Sequence, residues 1–119
     1  MTLLVHTFAH DDEGQWQLLD DPDDGSDMAG FENSRTKLWG SECAQALGAR
    51  FLPELATDDL HVQPEDVEDF LAECRLLRGH TAELAAHSGY REDYVAARLA
   101  NITRAALRAQ SVGGGVLVR

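Results

Sequence analysis

The sequence predicts an α+β fold in which a small antiparallel or mixed sheet carries three to four helices on one face. The chain begins with a compact run of β-branched and apolar residues, continues with apolar residues at helical spacing, and ends with a short apolar segment that needs a sheet to join. At 119 residues, with 44% apolar and 26% charged residues, it is expected to form a single domain, residues 1–119, with its own core.

An N-terminal hairpin is predicted first. Residues 2–8 are typical of a buried strand, residues 9–14 supply a polar turn that ends in glycine, and residues 15–19 alternate as a second strand would. Residues 20–30 consist mainly of Asp, Gly, Pro and Ser, which indicates a loop. At the other end of the chain, residues 113–115 predict a flexible glycine turn and residues 116–118 a terminal strand that joins the hairpin.

Helical spacing of apolar residues predicts the central elements. A first helix over 32–47 is expected from the stripe Trp39, Cys43, Ala46 and Leu47. Residues 60–62 predict a short extended piece, after which Pro64 suits the first position of a second helix. That helix has the stripe Val67, Phe70, Leu71, Cys74 and Leu77; Gly79 either ends it or lies inside a longer helix. The last helix, 91–109, has the stripe Val95, Leu99, Ile102 and Ala106.

Charge is strongly segregated along the chain. Nine Asp and Glu residues and no basic residue precede Arg35, and residues 54–73 hold eight carboxylates, again without a basic residue. Seven of the chain's arginines lie in residues 74–119, where we expect those of the last helix to pair with the acidic segments or to face solvent. The net charge is −11. Segregation of this kind concerns partners and association rates rather than the fold.

Two acidic stretches indicate recognition of a basic protein. Charge accelerates such an encounter, but tight binding also needs a buried anchor, often aromatic. Trp16, Phe31 and Trp39 are the aromatic candidates; all three also suit the core, where we expect them, and Phe31 is retained among the contacts because it follows the Asp-rich loop. The predicted partner-binding residues are Asp20, Asp21, Asp23, Asp24, Asp27, Phe31, Asp58 and Asp59.

The sequence offers little support for metal binding or catalysis. An EF-hand alignment on Gly25 fails, because Pro22 and Phe31 occupy two ligand positions, although a looser calcium site stays an alternative. His80 and His87 flank Glu83 on one helix, yet they are about 10 Å apart along its axis. No nucleophile elbow or phosphate-binding loop is present. We therefore predict no enzyme and no cofactor.

The remaining expectations concern partners and location. The net negative charge disfavours direct binding to nucleic acid, and no apolar run is long enough to span a membrane. The N-terminus lacks the pattern of a signal peptide, which favours a cytoplasmic protein. Cys43 and Cys74 lie on apolar helix faces and are expected to be buried, reduced thiols. The excess of Arg over Lys and the abundance of Ala and Gly are typical of a GC-rich bacterial genome.

The stretch GFENSRTKLWGS (30–41), the following LGA (47–49) and the acidic second helix resemble segments of small acidic immunity proteins from bacterial toxin–immunity systems. Size, charge and the predicted α+β arrangement agree with that resemblance. It implies a domain that binds and neutralises a basic toxin, for example a nuclease. A non-inhibitory adaptor or interaction module is the alternative hypothesis, and a small metal-binding protein or enzyme is the second alternative.

Overall fold

A computed structural model describes residues 2–19 and 27–119 of the chain. Within these residues the strands are β1 (Thr2–His10), β2 (Trp16–Leu18), β3 (Met28–Phe31), β4 (Leu60–Val62) and β5 (Gly115–Val118). The α-helices are α1 (Glu42–Leu47), α2 (Val67–Arg78), α3 (Thr81–Ser88) and α4 (Glu92–Val112). The predicted α+β fold is confirmed, and so is the pairing of the terminal strand with the N-terminal hairpin.

Strand β1 lies at the centre of an antiparallel sheet. Its two halves pair with β3 and β2 along one edge, while β5 pairs along the other edge and β4 follows β5. Because every pairing is antiparallel, the start of β1, the end of β3, the end of β5 and the start of β4 lie at the same end of the sheet. We call this the Phe31 end. The turn between β1 and β2 lies at the opposite end.

The helices cover one face of the sheet. The hydroxyl of Thr7 on β1 donates to the carbonyl oxygen of Ala105 on α4 at 2.8 Å, and the neighbouring inward residues Leu3 and Val5 belong to the core. Both predicted apolar stripes of α2 and α4 are confirmed, since all of their residues are buried in this core. Removing these side chains from water supplies the main driving force for assembling the two layers.

Strand β3 corrects the prediction of a loop over 20–30, of which residues 20–26 lie outside the described residues. Two side chains hold this strand by its carbonyl groups: Asn101 Nδ2 donates to Met28 O at 2.9 Å, and Trp39 Nε1 donates to Ala29 O at 2.9 Å. Asn101 lies 73 positions from Met28, and Trp39 lies 10 positions from Ala29. The local composition of residues 20–30 indicated a loop, but side-chain hydrogen bonds from other elements hold residues 28–31 in a strand.

The predicted helix over 32–47 is wrong as a single element. A π-helical turn over Arg35–Trp39 is followed by α1, and Ser41 begins α1 by accepting a hydrogen bond from Ala44 N at 3.2 Å. A Cβ at Gly40 would lie 2.3 Å from the carbonyl oxygen of Arg35, so the turn needs glycine there. The alternative left open at Gly79 is also decided, because α2 ends at Arg78 and α3 begins at Thr81.

The three candidate aromatic anchors have different environments. Trp39 is fully buried, as predicted. Trp16 stacks on Phe8 with ring centroids 3.8 Å apart, but it is 46% exposed because β2 is an edge strand. Phe31 is 54% exposed. The core prediction is therefore wrong for Trp16 and Phe31, and these two remain available for contact with a partner.

Candidate protein-binding surface

The structure describes half of the predicted partner contacts. Asp20, Asp21, Asp23 and Asp24 lie outside the described residues, whereas Asp27, Phe31, Asp58 and Asp59 lie within them. Residues on both sides of the first group bond to the same edge of β1: Leu19 N donates to Thr7 O at 2.8 Å, and Val5 N donates to Asp27 O at 2.7 Å. Asp27 thus lies beside the middle of β1, roughly 13 Å along β3 from Phe31.

One arginine joins the two acidic stretches. Arg35 Nε lies 2.6 Å from Glu32 Oε1, and Arg35 Nη2 lies 2.6 Å from Asp59 Oδ1. Its Nη1 also donates to the carbonyl oxygen of Asp58 at 2.9 Å. We call Arg35, Glu32, Asp58 and Asp59 the Arg35 network. The hydrogen bond to Asp59, with the smaller contribution of Glu32, raises the pKa of Arg35 above its ordinary value, against the opposing effect of burial.

The Arg35 network has two consequences for the predicted contacts. It brings Asp58 and Asp59 to the Phe31 end of the sheet, next to the residue that follows Phe31, so the two stretches converge there. It also partly neutralises them, because Glu32 and Asp59 share one guanidinium. The side chain of Asp58 is exposed, and within the described residues its one polar contact is with the hydroxyl of Thr57 at 3.4 Å. Asp58 therefore offers a less constrained charge to a partner than Asp59 does.

Phe31 is exposed but firmly held. Its backbone N–H donates to Tyr94 Oη at 2.9 Å, and its ring stacks on the Tyr94 ring with centroids 5.5 Å apart and planes at 12°. Tyr94 in turn stacks on Tyr90, which precedes α4, with ring centroids 4.9 Å apart. The guanidinium of Arg98 lies over the Tyr94 ring at 4.9 Å. We call Phe31, Tyr90 and Tyr94 the aromatic cluster.

Exposure and rigidity together make the aromatic cluster suitable as a binding anchor. An exposed ring that is already fixed loses little conformational freedom when a partner covers it. Aromatic and arginine side chains also dominate the residues that contribute most to protein–protein affinity. Phe31, Tyr94 and Arg98 provide this composition at the end of the sheet where the acidic stretches meet.

Some carboxylates counted in the acidic stretches serve the fold instead. Glu73 is 6% exposed, and its carboxylate accepts hydrogen bonds from the backbone N–H groups of Arg50, Phe51 and Leu52. Asp11 Oδ1 accepts from the backbone N–H groups of two residues in the turn between β1 and β2, at 2.9 and 2.8 Å. These two charges stabilise local backbone and should not be included in a binding surface.

Other candidate chemistries occupy separate places. His80 Nδ1 lies 2.7 Å from Glu83 Oε1, and within residues 2–19 and 27–119 no group of three or more His, Cys, Asp or Glu residues could hold a metal ion. Cys43 and Cys74 are free thiols. Cys74 is buried as expected, and burial raises its pKa to about 12, whereas Cys43 is only half-buried. No helix in the described part of the chain has the length and apolar character to cross a membrane.

Sequence reasoning missed the partner of Phe31. Tyr90 and Tyr94 lie only four positions apart in the chain, so the sequence showed that the two rings could be close. The contact between Phe31 and Tyr94 joins residues 63 positions apart, for which one sequence gives no signal. Comparison of the chain with protein-family models, curated proteins and solved structures finds no match.

Proposed function

We propose that this chain is a protein-binding domain that recognises a basic protein at the Phe31 end of its sheet. The observation that carries the proposal is the half-exposed Phe31 ring, held by Tyr94 and adjacent in the chain to Glu32 of the Arg35 network. The exposed ring and the carboxylates of the Arg35 network are thus linked through Glu32, although the residues involved come from distant parts of the sequence.

Charge and anchor have different roles in this proposal. The net charge of −11 attracts a basic protein over a distance of about 8–10 Å at ordinary ionic strength, which raises the association rate. Burial of Phe31 then slows dissociation, because release would expose apolar surface again. Charge steering explains partner choice, while the aromatic cluster supplies the lifetime of the complex.

The specific role that we propose is that of an immunity-type inhibitor of a basic toxin, for example a nuclease. A nuclease holds its substrate through Lys and Arg side chains that contact phosphate. Carboxylates such as that of Asp58 would bind those Lys and Arg side chains in place of phosphate. The rest of this domain would then block the nucleic acid from the active site of the nuclease. The resemblance to small acidic immunity proteins agrees with this role.

The test begins with affinity capture from lysate of the source cells on the immobilised chain, followed by purification of the captured protein. Association and dissociation rates are then measured at about 0.02 M and 0.3 M salt. We expect a basic partner whose association slows steeply with salt. If the partner is a nuclease, its activity is measured with and without this chain; binding without inhibition would indicate an adaptor instead.

Matched variants assign the surface. Asp58→Asn and Asp12→Asn each remove one exposed carboxylate, but Asp12 lies in the turn at the opposite end of the sheet. We expect Asp58→Asn to slow association about twofold at low salt and Asp12→Asn to leave it nearly unchanged. Phe31→Ala should raise the dissociation rate about tenfold or more. An acidic partner, or equal effects of the two Asp variants with no effect of Phe31→Ala, would contradict the proposal.

A further inference from the structure

A groove on the side of α4 away from the aromatic cluster forms a cavity of about 460 Å³. Its floor is the buried side chain of Leu99. Small side chains on α4 leave the space open, and the end of α2 and the start of α3 form the opposite wall. The other lining residues are Arg78, Thr81, Ala96, Ala100, Thr103 and Arg104. A cavity of this size is in the range of sites that hold small organic molecules.

Two guanidinium groups line this groove without a carboxylate partner. The chain has 21 carboxylates for 10 Lys and Arg residues, yet among the described residues no carboxylate lies within 4.0 Å of the guanidinium of Arg78 or Arg104. Arg35 has two such partners and Arg91 has one, but most other arginines of the described residues, Arg75 and Arg98 among them, also have none. The groove therefore holds two arginines whose charge is not neutralised by a carboxylate of the described residues.

Arg104 is also held in place. One of its terminal nitrogens donates to Asn101 Oδ1, and Asn101 is 6% exposed and anchored by the bond from its Nδ2 to Met28 O. The planar guanidinium has five N–H donors in a fixed arrangement, so a single bond to an amide leaves several donors for a ligand. Arg104 therefore enters the groove with part of its conformational freedom already removed.

We infer that this groove binds an anionic group, a carboxylate or a phosphate, that is attached to an apolar body. The planar guanidinium group matches the oxygens of either anion, and charge-assisted hydrogen bonds of this kind are stronger than those between neutral groups. The apolar body lies on Leu99 and the two alanines of α4. This site differs in charge and position from the surface proposed for the basic protein, so the two can be tested independently.

The experiment titrates the full-length chain with octanoate and with octyl phosphate at low ionic strength, followed by backbone amide NMR shifts and by calorimetry. Octanol, which lacks the anion, and inorganic phosphate, which lacks the apolar body, are the control ligands. We expect saturable binding of at least one anionic probe, with shifts centred on Thr81, Ala100 and Thr103. The probe that binds with the lower dissociation constant shows whether the groove prefers a carboxylate or a phosphate.

Three variants assign the residues. Arg78→Gln should weaken binding about tenfold, whereas Arg75→Gln, an equal charge change on α2 outside the groove, should change it less than about twofold. Ala100→Phe should abolish binding by filling the cavity. Arg104→Gln should also weaken binding, and Arg78→Gln keeps the test valid if loss of the Arg104–Asn101 bond unfolds the chain.

Several outcomes would overturn the inference. Octanol binding as tightly as both anions would remove the role of charge, and inorganic phosphate binding as tightly as octyl phosphate would remove the role of the apolar body. Equal effects of Arg78→Gln and Arg75→Gln would place the ligand elsewhere. Self-association in sedimentation velocity that disappears in Arg78→Gln would identify a second copy of this chain as the occupant.

Discussion

Glu73 provides the sharpest test of which carboxylates stabilise the fold. In Glu73→Gln the side chain keeps its shape and one acceptor oxygen, which can still accept from Arg50 N and Phe51 N. The new NH₂ group, however, faces the backbone N–H of Leu52, which is buried. Loss of one charge-assisted hydrogen bond and an unpaired buried donor together cost about 3 kcal/mol of unfolding free energy. Glu73→Ala, which removes all three bonds, should cost about 3–5 kcal/mol.

The assay is urea unfolding followed by circular dichroism, with the free energy of unfolding extrapolated to water. Glu68→Gln is the matched control, because Glu68 is exposed on the same helix and should change the unfolding free energy by less than about 0.5 kcal/mol. The urea slope should stay constant, since the exposed area hardly changes. A Glu73→Gln variant as stable as Glu68→Gln would refute the structural role of this carboxylate.

Three further predictions concern Gly115 and the two cysteines. Gly115→Ala places a Cβ 2.2 Å from the carbonyl oxygen of Val62, so it should cost about 3 kcal/mol in the same urea assay, whereas Gly89→Asn, in open space at φ +81, should cost about 1 kcal/mol or less. Ellman's reagent at pH 8 should modify Cys43 but not Cys74 in the folded protein, and both thiols in denaturant. Because burial raises the Cys74 pKa to about 12 from an ordinary value near 9, its contribution to stability is full below pH 9 and is lost between pH 9 and 12. A wild-type stability that falls no faster than that of Cys74→Ala above pH 9 would contradict this account.

Much of the fold could be predicted because the signals were local. The apolar stripes of α2 and α4 follow the 3.6-residue period, and Gly89 and Gly113 end helices in left-handed conformations. The terminal strand had one obvious sheet to join. By contrast, β3 depends on donors from Asn101 and Trp39, and no local pattern predicts those contacts.

The candidate site was harder to predict because its residues come from segments that are far apart in the sequence. Phe31 and Asp58 were selected from sequence as partner contacts, but their segments are linked by Arg35, which bonds to Glu32, the residue after Phe31, and to the carbonyl oxygen of Asp58. The position of Arg35 as the first basic residue after nine carboxylates was visible in the sequence. The position of its guanidinium between two acidic stretches depends on contacts 23 and 24 positions apart in the chain, which the apolar pattern did not predict.

The acidic character of this chain is therefore a weaker guide to its binding surface than the count of carboxylates indicates. Glu73 and Asp11 bind backbone N–H groups, and Glu32 and Asp59 share Arg35, so these charges stabilise the protein itself. The net charge still acts at a distance, because long-range attraction depends on the sum and not on local pairing. Direct contact with a partner, unlike long-range attraction, requires groups that are exposed and can be buried without breaking a hydrogen bond within the protein. At the Phe31 end, the ring of Phe31 and the carboxylate of Asp58 meet that requirement, and variants at these two positions separate recognition from stability.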